Sequence, residues 1–117
     1  MATPIIDRFA KADWDIPVVV SGLPAGVNAV GATFLLKRNK QELDSAALIS
    51  KVITTSLGAT GQITQSGTTA TLRFLVPELE TDHPPGSFFY YRVYMTTEDS
   101  QAAPFTEVVA DGNFLVN

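Results

Sequence analysis

Eight glycines and seven prolines cut this 117-residue chain so finely that only residues 32–57 and 87–103 run long without one. Both residue types break helices, while short extended segments joined by turns tolerate them well. The pieces between the breakers are rich in Val, Ile, Thr, Phe and Tyr. This pattern predicts many short strands at regular spacing, hence a sandwich or a barrel.

The first predicted strand is Trp14–Val20, with Trp14, Ile16, Val18 and Val20 on one face. Pro17 has no N–H to give a ladder, which places this strand at a sheet edge or beside a bulge. Residues 32–38 form the second, with Ala32, Phe34 and Leu36 inward and Thr33, Leu35 and Lys37 outward. Residues 48–55 read as a strand with a blurred pattern, and a short helix over 41–49 competes for the same stretch. A hairpin through Ser66-Gly67 joins residues 61–65 to 69–76. The loop 77–86 carries one 3₁₀ turn near Leu79. Residues 87–97 are the strongest strand, and residues 105–116 the last, with a bulge expected at Asp111-Gly112. The chain reads as an all-β domain over residues 14–117, an immunoglobulin-like antiparallel sandwich of about seven strands, preceded by an arm of residues 1–13. With no cysteine and its only Trp on the first strand, it departs from the antibody version.

Composition narrows the function. Eight Lys and Arg stand against twelve Asp and Glu, a net charge of −4. A nucleic-acid binder neutralises phosphates with a basic face, so no nucleic-acid partner is expected, and polybasic attachment to a membrane is disfavoured on the same ground. The absence of cysteine removes thiolate metal sites, iron–sulfur clusters and a cysteine nucleophile together. The early charges Asp7, Arg8, Lys11 and Asp13 interrupt any signal-like apolar run, which points to synthesis in the cytosol.

The order of segments resembles a known family. Trp14-Asp-Ile-Pro-Val-Val-Val20 is followed by Val30-Gly-Ala-Thr-Phe-Leu-Leu-Lys37 and Ala47-Leu-Ile-Ser-Lys-Val-Ile-Thr-Thr55. Gly61-Gln-Ile-Thr-Gln-Ser-Gly67 and Ala70-Thr-Leu-Arg-Phe74 lead to Pro85-Gly-Ser-Phe-Phe-Tyr-Tyr-Arg-Val93 and a terminal Asp111-Gly-Asn-Phe-Leu-Val116. From Trp14 onward the chain looks like the small β-sandwich proteins of tailed bacteriophages, which are similar to the N-terminal domain of baseplate upper proteins. Arg92 stands where that family more often carries an acidic residue. The resemblance implies a non-enzymatic virion part with no cofactor. Its partners would be other structural proteins of the particle, with the chain present in multiple copies or as a homo-oligomer.

The residues offer little for catalysis. His83 is the only histidine and lies between Asp82 and Pro84-Pro85 without a nucleophile elbow, which reads as an exposed loop histidine. Glu78, Glu80, Asp82 and His83 form an acidic cluster without the spacing of a calcium loop, so a solvated loop is the plainer reading. Gly58-Ala-Thr-Gly61 lacks the Lys-Ser/Thr of a phosphate loop.

The aromatic strand says more. Phe89, Tyr91, Val93 and Met95 suit the core, which leaves Phe88, Tyr90, Arg92 and Tyr94 on the outer face. Three rings around an arginine is the composition of a binding hot spot. The competing reading is cover by the chain's own arm or by the loop 39–47. Ile5, Ile6 and Phe9 in the arm carry apolar surface that could staple back onto the domain or fold onto a neighbour. The expected function is a structural adaptor in the tail, baseplate or fibre-attachment region of a virion, binding through Phe88, Tyr90, Arg92, Tyr94, Ile5, Ile6 and Phe9. Capsid decoration, a head fibre, or a carbohydrate-binding module stacking sugars on Trp14, Tyr90 or Tyr94 are the alternatives.

Overall fold

Alternating apolar residues and glycine-bearing turns produce eight strands in the computed structural model, which describes residues 6–99 and 102–117. They are β1 (Ile6–Arg8), β2 (Trp14–Val20), β3 (Val27–Lys37), β4 (Ile49–Thr54), β5 (Gly61–Ser66), β6 (Thr69–Val76), β7 (Ser87–Asp99) and β8 (Ala102–Val116). Single 3₁₀ turns cover Asp44–Ala46 and Glu78–Glu80. The blurred segment before β4 is therefore a turn followed by a strand, not a helix. No helix among the described residues is long and apolar enough to cross a membrane.

The strands form two sheets, ordered β1-β8-β7-β3-β4 and β2-β6-β5. The second takes the places of immunoglobulin strands B, E and D, and β8-β7-β3 those of G, F and C. Inward residues of both sheets make one core around Trp14, Ile16, Phe34, Leu36, Leu72, Phe74, Val93 and Phe114. Burying each large apolar side chain contributes roughly 1.5–3 kcal/mol. Trp14 of one sheet meets Phe114 of the other with ring centroids 4.9 Å apart, so the two layers are joined by rings and not by a disulfide.

Three details depart from the sequence reading, and one of its alternatives is settled. The strand count is eight because the arm supplies β1, which pairs parallel to β8 with Ile6 beside Phe114 and Arg8 beside Val116. From Ile6 onward the arm is a staple on its own domain: Ala10 N donates to Asn117 O, and the Trp14 indole N–H donates to Phe9 O at 2.8 Å. β3 begins at Val27, five residues early, because it pairs with β7 through Gly31 to Asp99. The bulge of β8 is not at Asp111-Gly112, where pairing with Arg92 and Tyr91 is continuous. It falls at Val109, skipped between the pairs Val93–Ala110 and Tyr94–Val108.

Pro17 sits as expected on an edge, since β2 pairs with β6 alone. Arg8 Nη2 donates to Asp15 O at 2.9 Å and covers part of that edge. A proline and a charged side chain are the usual means of keeping an edge from recruiting another strand. At the opposite corner the sheets close on each other: Thr60 Oγ1 donates to Val52 O at 2.6 Å and Gln62 Nε2 to Thr55 O at 3.0 Å.

Candidate functional site

Strand register lays out the outer face of the larger sheet in rows. Val108, Tyr94, Thr33 and Val52 form one row; Asp111, Arg92, Leu35 and Ser50 the next. Asn113, Tyr90 and Lys37 follow, then Leu115 and Phe88. Alternation alone would put all of these in water. Leu35, Lys37 and Tyr90 are instead buried, Lys37 with only 1% of its surface exposed. The outward, solvent-facing placement of Leu35, Lys37 and Tyr90 is thus corrected. The cause is the connection between β3 and β4, which folds back over the face and brings Asp44 down onto it. Lys37 Nζ donates to Asp44 Oδ1 at 3.0 Å and the Tyr94 hydroxyl donates to Asp44 Oδ2 at 2.6 Å. At the root of the same loop, Arg38 Nη1 holds Glu42 Oε2 at 3.2 Å, and Asn39 Oδ1 accepts from the N–H groups of Gln41 and Glu42.

Arg92 is the centre of the arrangement. Its Nη1 donates to Tyr94 Oη at 3.4 Å and its Nη2 to Tyr90 Oη at 3.3 Å. Each tyrosine donates its hydroxyl hydrogen bond to a carboxylate, Tyr94 to Asp44 and Tyr90 to Asp111, both at 2.6 Å. The guanidinium also lies 5.5 Å from the Tyr90 ring centroid, and Lys37 Nζ lies 5.9 Å from it. Two carboxylates, two phenols, a guanidinium and an ammonium thus share one network. The Arg92 Nε, buried, has no acceptor.

Proton affinities follow from these contacts. Burial pushes the Tyr90 phenol above its ordinary range, and the bond to Asp111 adds to this. The hydrogen bonds from Arg92 to Tyr94 and Tyr90 hold the guanidinium charged. The bond from Tyr94, then that from Lys37, keeps the Asp44 carboxyl below the usual carboxylate range. Chemically this is a stiff polar platform in which every phenol already has both a donor and an acceptor.

The predicted site residues separate accordingly. Tyr90, Arg92 and Tyr94 come together, joined to one another and to their own chain. Phe88 is the ring left open, 62% exposed at the rim of a groove of about 330 Å³ that Arg38, Asn39, Lys40, Tyr90 and Asn113 also line. Ile6 is half-buried against the core, Phe9 is exposed, and Ile5 lies outside the described residues. Trp14 is 1% exposed, so it cannot serve as a stacking platform for a sugar. His83 meets the Phe89 ring edge-on at 5.2 Å, and Glu80 is engaged by Lys51 at 2.6 Å. Among the described residues, no three His, Asp or Glu side chains converge to hold a metal ion.

Asp44, Asp111 and Lys37 were not legible as site residues. The available signal was the excess of rings on β7 together with an outward Leu35, since both require cover. No protein-family model matches the chain, and no curated protein matches it.

Proposed function

We propose that the protein is a non-enzymatic structural component of a tailed-phage virion, an adaptor that docks neighbouring structural proteins in the tail, baseplate or fibre-attachment region. One observation carries the docking part of this reading: a hydrogen-bonded platform, rigid at its centre, bordered by exposed apolar side chains. Phe88, Val52 and Val108 belong to the same sheet face, and Leu43 stands beside Asp44 on the covering loop; all four are exposed. Apolar surface around a pre-ordered polar centre loses little entropy on association, which is the economy of a constitutive interface. The phage assignment rests on the resemblance of the segments from Trp14 to Val116.

The experiment is to purify particles and ask whether the chain is a stoichiometric part of them, by mass spectrometry and by gold-labelled antibody. The expected result is retention through density-gradient purification, with label at the tail end. Label on the head would move the role to capsid decoration or a head fibre. A chain abundant in infected cells but absent from purified particles overturns the reading.

A further inference from the structure

We propose that the protein self-associates head to tail, the end of β8 bearing Phe105 and Glu107 entering the groove between Lys40 and Phe88 of a second copy. The inference does not depend on the virion reading.

Charge is divided between the two ends of the molecule. Around the groove stand four cations, Lys37, Arg38, Lys40 and Arg92, and four carboxylates, Glu42, Asp44, Asp111 and Asp7, the last in one row with Leu115 and Phe88, so the surround of the groove is close to neutral within a chain of net charge −4. Asp44 binds Lys37, Glu42 binds Arg38 and Asp111 binds Tyr90, whereas Lys40 is fully at the surface. The far end is acidic. No Lys or Arg follows Arg92 in the chain, and the neighbouring residues 18–36 and 61–72 carry no charge of either sign. Glu98 and Glu107, both exposed, dominate it.

The apolar surface is divided in the same way. Phe105 is 61% exposed although its β7 partner Thr97 is buried. By register Phe105 and Glu107 lie on the inward side of β8, yet both are exposed, whereas Phe114 nearer the other end of the same strand is buried against Trp14 of β2. Two residues apart on one strand, they share a face about 7 Å from each other. A ring with a carboxylate beside it is the complement of the groove, which Phe88 and Lys40 both line. Opposite charge at the rim steers the encounter, and ring burial supplies the affinity.

Phe88 and Thr97 lie on the same strand, roughly 30 Å apart, in a molecule 46 Å long. A single copy cannot bring its own ends together. Head to tail, with successive copies pointing the same way, the contact is heterologous and repeats into a ring or a filament; an antiparallel pair making it twice would close as a two-fold dimer, a size that sedimentation distinguishes and that would overturn the head-to-tail arrangement.

Sedimentation velocity at low salt and rising concentration tests this. The parent chain is expected to form oligomers that added salt dissolves. Lys40→Glu and Phe105→Glu alter exposed side chains, and each alone should weaken association by about tenfold or more, or roughly 1.4 kcal/mol. Mixed, the two variants retain one intact groove and one intact tip between them, so they should give one-to-one dimers and nothing longer. A parent that stays monomeric, single variants that assemble as the parent does, or a mixture that stays monomeric would each overturn the proposal. A monomeric parent whose Phe88 and Lys40 resonances respond to an acidic oligosaccharide would assign the groove to a sugar instead. Absence of the chain from particles would remove the virion role without touching this result, and a monomer in solution would do the opposite.

Discussion

Tyr94 on β7 donates its hydroxyl hydrogen to Asp44 at 2.6 Å, tying the sheet to a loop fifty residues earlier in the chain. The same carboxylate receives the buried ammonium of Lys37 at 3.0 Å. One side chain thus closes the loop over the face and neutralises a charge that the closure has taken out of water.

Removing that carboxylate should be costly. Asp44→Ala leaves Lys37, with 2% of its side chain exposed, without its counter-charge. Because Asp44 itself is about half open to water, the expected loss is about 2 kcal/mol and not the larger cost of breaking a fully buried pair. Lys37→Met removes the charge and keeps the stem, so it should cost under about 1 kcal/mol. Urea unfolding of both variants checks the difference. Equal losses would mean that Asp44 acts through the loop alone.

Acid should loosen the same latch. The Asp44 carboxyl is held below its ordinary range by Tyr94 and Lys37, and Asp15 by the hydrogen bonds of Arg73. Folding thus favours the ionised forms. Their stabilisation is complete above the unfolded Asp value of about 4 and is lost as pH falls through the lower folded values. Stability should be flat from neutral pH to about 5 and fall below about 4, with the fall shallower in Asp44→Asn. An identical acid profile for the two proteins would contradict the assignment.

Alkali acts on the phenols. Burial and Asp111 raise the Tyr90 phenol, and burial raises Tyr91. The folded state favours the protonated phenols, so their stabilisation is present below the unfolded tyrosine value of about 10 and is lost as pH rises through the higher folded values. An ultraviolet titration should show Tyr90 and Tyr91 ionising late, together with unfolding. Tyr90→Phe should remove one of them and cost about 1–2 kcal/mol, since Arg92 and Asp111 both lose a partner. Free ionisation of Tyr90 and Tyr91 near the ordinary value would show that they are open to solvent.

Gly61 is a packing requirement of the fold. Its φ is +128°, and a Cβ built there would lie 1.8 Å from Arg73 O. Gly61→Ala must both strain the backbone and push β5 off β6, at an expected cost of about 3 kcal/mol or more. Gly67, at a hairpin tip with open space around it and φ +60°, should lose only about 1 kcal/mol on the same change. Thermal unfolding of the two variants separates close approach from turn geometry.

The strands were legible because their signals are local. Period-two alternation in β6 and β7, the Ser66-Gly67 turn and the proline of β2 act within a few residues, and the structure places each where alternation and turn chemistry put it. The arm was less legible: Ile6–Arg8 is too short to show a period, and its pairing with Phe114 to Val116 joins opposite ends of the chain. The candidate site was half legible. Which residues share the outer face follows from parity along β3 and β7. Whether they meet water does not, because Leu35, Lys37 and Tyr90 have the same alternation whether or not a loop lies above them.

The residue order alone therefore determined the class of fold, the inner and outer sets of β2, β6, β7 and the Ala32–Lys37 part of β3, and the surplus of rings on β7, all of which come from the geometry of an extended chain with side chains pointing alternately to either side. Only the tertiary structure decided that Asp44 closes over Lys37 and Tyr94, that Asp111 completes the network, and that the inward-directed Phe105 stays uncovered. Those outcomes depend on contacts between residues far apart in the chain, and alternation carries no information about what a distant segment will cover.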